Sequence, residues 1–355
     1  MKQYNIAVVI GRFHPLHHGH VYLITRALSI ADEVLVLVGG ATKALDYNNP
    51  FTYDERKELI TKAILNSDRA RSLNLVEKDL DRIATIYGLR DHPYNDEKWV
   101  EQVQAIVEEH KFMGHNTTIT LMGHLKDDSS FYLKLFPQWD FIDVEFKNEL
   151  SAVDIRKEIY TNGISNYIKY SVPETTYAML EDKYRKGEFE LPQEEYEYTE
   201  AYHKSWEGSP FPVQFITADA VVVQQGHILL VKRGNMPGKG LWAMPGGFVN
   251  ANEYIKDAAI RELREETRLK VPEPVLRGSI VAQKVYDRPK RSLRGRTVTT
   301  AFLIHLKNYD QGLPKVKGSD DAAEAQWVPL SLVTEQENLF FEDHFHIIQD
   351  MIGRL

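Results

Sequence analysis

Three glutamates in the C-terminal half, Glu262, Glu265 and Glu266, have the spacing of a metal-binding helix face. If residues 254–267 form a helix, positions i, i+3 and i+4 lie on one side of it. Carboxylates crowded together repel one another unless a hard divalent cation, Mg²⁺ or Mn²⁺, neutralises them. The spacing therefore predicts a metal-dependent site, and a merely solvated acidic helix face is the alternative.

The surrounding residues 246–269 read GGFVNANEYIKDAAIRELREETRL, which fits the pattern G-x5-E-x7-R-E-U-x-E-E with U aliphatic. This pattern resembles the Nudix box of hydrolases that cleave nucleoside diphosphates linked to another group. The resemblance implies that the three glutamates bind the metal and that the metal activates a water molecule. It also implies that Gly247 and Glu253 support the box and that Arg261 orients a glutamate through an ion pair.

One position departs from the Nudix box. The family usually has glycine where this chain has Arg268, at the end of the predicted helix. A glycine there serves a helix C-terminus that requires a positive φ. The departure concerns how the helix ends, and it leaves the metal-binding face unchanged.

A second group of chemically capable residues lies near the N-terminus, in the loop GRFHPLHHGH at residues 11–20. Imidazoles beside a helix N-terminus can donate hydrogen bonds to charge that develops during phosphoryl or nucleotidyl transfer. Arg12 offers a planar fork to phosphate oxygens, and Gly19 permits close approach of the backbone. His17 and His20, spaced in this way after an apolar run, predict a phosphate-handling loop.

This loop resembles the GRFxPxHxGH motif of the nucleotidyltransferase superfamily, with His17 and His20 as the HxGH pair. The resemblance implies adenylyl transfer with ATP as a substrate. It also places four further loop residues at the nucleotide: Gly11, Arg12, Phe13 and Gly19.

Other segments resemble adenylyltransferases that act on nicotinamide mononucleotide. In NPFTYDER, at residues 49–56, Thr52 and Glu55 have the spacing of a helix capping box. The resemblance implies that Arg56 contacts phosphates and that Trp99 stacks on the nicotinamide ring. Packing of Trp99 in the core is the alternative.

Two later segments extend the same resemblance. Gly123 and His124 begin GHLKDDSSFYLKLFPQWDFID, a stretch similar to bifunctional adenylyltransferase/Nudix proteins. Ser151 and Arg156 match the S-x-T-x-[IV]-R helix start, whose serine and arginine hold ATP phosphates in those transferases. Val153 replaces the threonine of that motif, so one hydroxyl donor is missing.

Near the C-terminus, the basic cluster RPKRSLRGR resembles an SxRGR segment of the bifunctional proteins, which implies a role for Arg294 and Arg296 near the diphosphate or a partner subunit. A solvated hairpin tip is the alternative. The segment DDAAEAQW resembles a loop of ADP-ribose-cleaving Nudix enzymes. Asp320 and Asp321 are candidates for ribose contacts, and together with Glu324 they are the open candidates for the general base.

These residues require elements that position them. An apolar run, an amphipathic helix and a second apolar run at 33–38 predict a βαβ unit. We therefore expect an α/β protein with an N-terminal Rossmann-like nucleotidyltransferase domain, built as a parallel sheet with helices on both faces. The resemblance implies a C-terminal Nudix α/β/α sandwich. The predicted division is a domain at 1–185, an acidic, aromatic and irregular linker at 186–212, and a domain at 213–355.

Composition narrows the functional classes. The 355 residues carry a net charge of −8 and contain no cysteine, which disfavours a general nucleic-acid binder and excludes disulfides. No apolar run approaches the roughly 20 residues that span a bilayer. We expect a cytoplasmic protein whose partners are small nucleotides, without nucleic acid or membrane; whether it forms a homo-oligomer stays open.

Taken together, both halves resemble the bifunctional nicotinamide mononucleotide adenylyltransferase/Nudix hydrolase family over nearly the full length. The resemblance implies synthesis of NAD at one site and cleavage of ADP-ribose to AMP and ribose 5-phosphate at the other. Two alternatives remain open: the same chemistries on nicotinate mononucleotide, NADH or other dinucleotides, or a Nudix half that only senses ADP-ribose.

Overall fold

The computed structural model describes residues 2–111, 117–125, 132–145, 150–307 and 312–355. The middle of the segment that begins at Gly123 therefore lies outside the described residues. The chain divides into two compact units, Met1–Gln193 and Glu194–Leu355. Among the helices of these ranges, none has the length and apolar character required to cross a membrane.

The first unit is built on a five-stranded parallel sheet with the strand order β3-β2-β1-β4-β5. Its strands are β1 Tyr4–Gly11, β2 Ala31–Val38, β3 Ala84–Gly88, β4 Ile119–Gly123 and β5 Asp140–Asp143. Its helices are α1 His18–Ile30, α2 Tyr53–Leu65, α3 Asp68–Ser72, α4 Asp96–Glu109, α5 Ala152–Asn162, α6 Asn166–Ser171 and α7 Glu174–Arg185, with a 3₁₀-helix at Glu77–Arg82.

Helices cover both faces of this sheet. Successive residues of the central strand β1 point to opposite sides and pack into two different cores. Ala7 and Val9 belong to the core that includes Ile24 of α1. Ile6 and Val8 belong to the core that includes Val103 of α4. The predicted Rossmann-like architecture is confirmed.

The strand order reverses at β1, which has β2 on one side and β4 on the other. In doubly wound sheets, a crevice opens at the carboxyl ends of strands where the order reverses. The loop after β1 and Gly123 at the end of β4 therefore lie at the same crevice.

The second unit contains a mixed seven-stranded sheet with the order β10-β11-β6-β7-β12, in which β8 pairs with β7 and β9 with β6. Its strands are β6 Phe215–Gln224, β7 His227–Arg233, β8 Trp242–Ala243, β9 Gly246–Phe248, β10 Ile280–Tyr286, β11 Thr297–His305 and β12 Ala322–Pro329. Its helices are α9 Ile255–Thr267, α10 Glu273–Gly278, α11 Leu330–Val333 and α12 His344–Ile352, with a 3₁₀-helix at Glu337–Leu339.

Helices α9 and α12 lie on opposite faces of this sheet. Phe302 of β11 packs with Ala258 of α9. Tyr286 and Lys284 of β10, which pair with odd-numbered β11 residues on the other face, donate to Asp350 of α12. This arrangement confirms the predicted sandwich.

The segment 186–212 is not irregular as predicted, because it contains helix α8, Glu190–Lys204. Pro192 is the third residue of α8, where a backbone N–H has no intrahelical partner, so proline is tolerated. The boundary between the two units lies within α8. In the second unit, Glu195 accepts a hydrogen bond from Gly238 N at 2.8 Å.

Candidate active sites

The loop after β1 places two imidazoles at the N-terminus of α1. His17 is the N-cap residue: its Nδ1 accepts from Gly19 N at 3.1 Å, while His17 N donates to His20 Nδ1 at 3.3 Å. The two rings stack with centroids 3.7 Å apart. Because each Nδ1 accepts, the proton of each neutral ring is on Nε2, which can donate to a ligand.

The environment keeps His20 neutral. Burial, and then the adjacent His17, lowers the pKa of His20 well below its ordinary value. The Nε2 atoms of this imidazole pair lie at a helix N-terminus, a location suited to phosphate oxygens.

The ring of Phe13 packs against this imidazole pair. Its backbone is left-handed, with φ 56°, and its ring contacts His20 edge to face at 4.9 Å. A Cβ atom at Gly11 would lie 2.8 Å from Phe13 Cζ, so the glycine is required by close packing. Gly11 and Phe13 thus shape the loop.

The three arginines predicted at this site differ in exposure. Arg12 is half exposed; its Nη2 lies 2.7 Å from Asp91 Oδ2, and its Nη1 donates to Asn49 Oδ1. Arg156 is buried and donates from Nη1 to the carbonyl of His14 at 2.6 Å. Arg56 is 1% exposed and donates only to backbone carbonyls among the described residues.

Gly123 and His124 lie at the carboxyl end of β4, and Ser151 lies at the start of α5. A Cβ atom at Gly123 would lie 2.8 Å from Leu133, and His124 Nδ1 lies 3.0 Å from Asp143 Oδ1. Ser151 is the N-cap residue of α5, where its Oγ accepts from Val153 N at 3.2 Å.

Trp99 lies in an aromatic cluster against the sheet. Its ring is 6.1 Å from Tyr132 and 5.9 Å from Phe136. Tyr132 in turn donates to the carbonyl of Ile10, near the end of β1. Trp99 is partly buried, so core packing is observed, and its contact with a nicotinamide ring stays a prediction.

In the second unit, Arg261 connects the acidic residues of the predicted box. Its Nη2 and Nε donate to both carboxylate oxygens of Glu253, at 2.6 and 3.0 Å. Its Nη1 donates to Glu262 at 2.8 Å and to Glu265 at 3.0 Å. The guanidinium therefore neutralises part of the acidic face, and its hydrogen bonds lower the pKa of Glu253 to about 2.

The Gly-Gly turn of β9 lies directly against the glutamates. Gly246 N donates to Glu266 Oε2 at 3.0 Å. A Cβ atom at Gly247 would lie 2.5 Å from Glu262 Oε1, so a larger residue there would displace the Glu262 carboxylate.

The chemistry of these glutamates fits a divalent cation. Burial, with nearby Glu262, raises the pKa of Glu266 to about 8, and burial also raises the pKa of Glu262. A hard cation would stabilise both charged forms. Within the described ranges no three acidic or imidazole groups already converge on a metal position. Arg261 holds Glu262 and Glu265, so these side chains would have to turn toward the ion.

Comparison with known proteins links the two sites. A NUDIX domain model matches residues 214–351, and a cytidylyltransferase-like model matches residues 8–158. A crystal structure of a bifunctional NMN adenylyltransferase/ADP ribose pyrophosphatase from Francisella tularensis, with AMP and a manganese ion, is 33% identical at a TM-score of 0.88. The likeness covers 99% of each chain.

The chain belongs to this bifunctional family.

Relatives of each half are also found separately. The nicotinamide/nicotinic acid mononucleotide adenylyltransferase of Acinetobacter baylyi is 33% identical over 197 residues, which is 52% of this chain and 96% of the relative. The ADP-ribose pyrophosphatase of Methanocaldococcus jannaschii is 35% identical over 135 residues, 38% of this chain and 71% of the relative. This member of the bifunctional family is thus an enzyme that joins a nucleotidyltransferase to a Nudix hydrolase.

The Nudix helix of this bifunctional enzyme ends on an unusual residue. Arg268 adopts the left-handed conformation, with φ 51° and ψ 27°, and its N–H donates to the carbonyl of Arg264. The helix therefore ends in the backbone conformation that glycine usually provides, even though the residue is arginine.

The remaining predicted residues of the Nudix half make separate contacts, although the charge of Asp320 acts on Glu262 and the charges of Arg294 and Asp321 act on Arg233. Arg294 lies over the ring of Phe248 at 4.9 Å, whereas Arg296 donates to the carbonyl of Asp287. Asp320 is exposed and has a positive φ of 57°. Asp321 accepts from Asn235 Nδ2 at 2.8 Å.

Two charged residues near the Nudix site had no signal in the sequence. Arg233, at the end of β7, stacks on the ring of Phe341 at 4.1 Å; burial and neighbouring Arg294 lower its pKa, opposed by Glu342 and Glu266. Glu342 has a positive φ of 47°. A motif is a pattern of residues close together in the sequence, and β7 and the C-terminal segment approach each other only in the folded chain. The sequence therefore did not indicate either residue.

Proposed function

We propose that the chain makes NAD at one site and cleaves ADP-ribose at the other. The first reaction transfers AMP from ATP to nicotinamide mononucleotide and releases pyrophosphate. The second hydrolyses ADP-ribose to AMP and ribose 5-phosphate. The observation that carries the proposal is the presence, in one chain, of an imidazole pair at a helix N-terminus and of a box whose glycine, arginine and glutamates contact one another.

For adenylyl transfer, the protein needs to position reactants and stabilise charge. The phosphate of nicotinamide mononucleotide has a second pKa of about 6, so it is mostly a dianion at neutral pH and needs no protein base to attack the α-phosphate of ATP. His17 and His20, at the N-terminus of α1, would donate from Nε2 to the phosphate oxygens as negative charge moves toward pyrophosphate. Arg12 would bind the phosphate chain.

For hydrolysis, Glu262, Glu265 and Glu266 would hold Mg²⁺ or Mn²⁺. When bound, such an ion lowers the pKa of water and screens the diphosphate. Arg261, anchored by Glu253, would orient the glutamates. Arg294 would contact the diphosphate, and the general base stays open among the acidic residues named above.

We also propose that the two activities separate along the chain. Residues 1–185 would carry adenylyl transfer and residues 213–355 hydrolysis, with 186–212 as the connection. The two compact units support this division, since each of the two sets of site residues lies within one of them.

A substrate panel tests the proposal. ATP, nicotinamide mononucleotide and Mg²⁺ should give pyrophosphate and NAD, and ADP-ribose with Mg²⁺ or Mn²⁺ should give AMP. Turnover of nicotinate mononucleotide in place of the nicotinamide compound would overturn the substrate of the first site. Preference for NADH would overturn that of the second, and ADP-ribose binding without hydrolysis would indicate a sensor.

A further inference from the structure

Arg56 is predicted to contact phosphates, but most of its N–H donors bond to backbone carbonyls. The side chain is 1% exposed. Its guanidinium donates to four backbone carbonyls: Arg12 at 2.9 Å, Gly39 at 2.8 Å, Gly40 at 3.1 Å and Thr52 at 3.2 Å. A guanidinium has five N–H donors, so one remains.

These carbonyls belong to three segments that meet at the carboxyl edge of the sheet. Arg12 follows β1, Gly39 and Gly40 follow β2, and Thr52 caps α2. Buried backbone carbonyls require donors, and a buried cation requires groups that replace its water. Arg56 meets both requirements at once. Burial and then Arg12 lower its pKa to about 10, so it is still protonated at neutral pH.

The contacts of Arg56 determine where Arg12 lies. Arg56 fixes the carbonyls of Arg12 and Gly40. Gly40 also lies against the Arg12 side chain, since a Cβ atom added to Gly40 would be 3.0 Å from Arg12 Nη1. Arg12 itself is half exposed, and its guanidinium reaches Asp91 and Asn49. A shift of Arg56 would therefore move the backbone on both sides of the Arg12 guanidinium.

The same contacts reach the imidazole pair. Phe13, with φ 56°, lies between the Arg12 carbonyl held by Arg56 and the His14 carbonyl held by Arg156 at 2.6 Å. A left-handed conformation is unfavourable for a bulky residue and persists only when its surroundings enforce it. The two arginine bonds enforce it here, and the ring of Phe13 then contacts His20.

We propose that Arg56 is a positioning residue of the adenylyl-transfer site: it fixes Arg12, Phe13 and His20 through backbone carbonyls, while Arg12 makes the phosphate contact. This inference rests on the proposed function of the first unit. Bidentate binding of a phosphate by Arg56 would require it to leave at least one of these carbonyls, because only one of its N–H donors is uncommitted.

The two roles predict different responses to the number of phosphates on the ligand. Arg56→Lys keeps the charge but cannot reach four carbonyls, and Arg12→Lys is the matched control. We expect Arg56→Lys to weaken binding of ATP, ADP and AMP to a similar extent, so that the three fold-changes in Kd agree within about twofold. We also expect it to lower kcat at saturating substrates by up to about 100-fold, because a displacement near 1 Å can cost that much. Arg12→Lys should weaken ATP binding more than AMP binding.

Selective loss of ATP affinity in Arg56→Lys, with AMP binding unchanged, would overturn the proposal, as would wild-type kcat. Circular dichroism and thermal unfolding establish that the variants are folded. If Arg56→Lys does not fold, ¹⁵N NMR of arginine side chains in the wild-type chain decides: ATP should shift the Arg12 signal, and a dominant shift of Arg56 would contradict us. Absence of pyrophosphate release by the wild type would contradict the proposed function, while the binding comparison, which needs no turnover, would still determine the role of Arg56.

Discussion

The left-handed conformation at the end of α9 predicts how the free energy of unfolding changes when Arg268 is replaced by glycine. Arg268 adopts φ 51° and ψ 27°. For an L-residue, the left-handed region costs about 1–2 kcal/mol relative to right-handed helix, and glycine avoids this cost. Glycine also makes the unfolded chain more flexible, which removes roughly 0.4–1 kcal/mol of stability. Loss of a cation at the helix C-terminus removes about 0.3 kcal/mol more.

These three effects leave a small net gain for Arg268→Gly, on the order of 0.5 kcal/mol in the free energy of unfolding. The matched control is Arg264→Gly, four residues earlier, where the backbone is right-handed helix and the side chain is half exposed. There glycine should destabilise the protein by about 1 kcal/mol. The two substitutions remove the same side chain from the same helix and should differ in sign.

Urea unfolding, monitored by circular dichroism, measures both values. The urea midpoints are compared at a constant slope of the unfolding free energy against urea concentration. ADP-ribose hydrolysis should stay within twofold of wild type in Arg268→Gly, since the glutamates that would bind metal are not altered. Destabilisation by Arg268→Gly equal to that by Arg264→Gly would refute the reasoning, because it would mean that the arginine side chain itself holds the helix end.

Three further outcomes are expected. Glu266→Gln should lower ADP-ribose hydrolysis at least about 100-fold, because it removes a charged ligand, and should leave pyrophosphate release from ATP and nicotinamide mononucleotide within twofold; loss of both activities would argue against independent sites. His20→Ala should lower adenylyl transfer by about 100-fold through loss of a donor and spare hydrolysis, as the same two assays will report. His344, whose pKa burial lowers to about 4 while its Nδ1 accepts from Met244 N, is neutral in the folded chain, so stability should fall as the pH drops from about 6.5 toward 4. His344→Gln should flatten that fall, which amounts to up to about 3 kcal/mol, and identical pH profiles of urea midpoints would contradict this account.

Local sequence patterns correctly predicted those features of the fold that depend on residues close together in the chain. The capping box of Thr52 and Glu55 is present at the start of α2. The glutamate helix was expected at 254–267 and spans Ile255–Thr267. Hydrogen bonds within one turn fix such features, so a single segment contains the information.

Features that depend on distant segments were not predictable in this way. A motif placed Arg56 near phosphates, but its partners follow two different strands. Arg233 ends β7 and Glu342 lies near the C-terminus, and the fold brings Glu342 close enough to act on the pKa of Arg233. Helix α8 was missed because glutamates and prolines suggested an irregular segment, whereas the position of Pro192 in the first turn is compatible with a helix.

The guanidinium of Arg261 acts as a counterion that is built into the chain. Its five hydrogen bonds divide into those toward Glu253 and the Phe248 carbonyl and those toward Glu262 and Glu265. When Glu262 and Glu265 turn to an arriving cation, the first set can keep the arginine in place. Each glutamate that turned to the ion would then exchange a partner of charge +1 for one of charge +2, while Arg261 would stay protonated beside them. A monovalent ion would offer these glutamates no more charge than the guanidinium already provides, so this arrangement would favour a divalent ion.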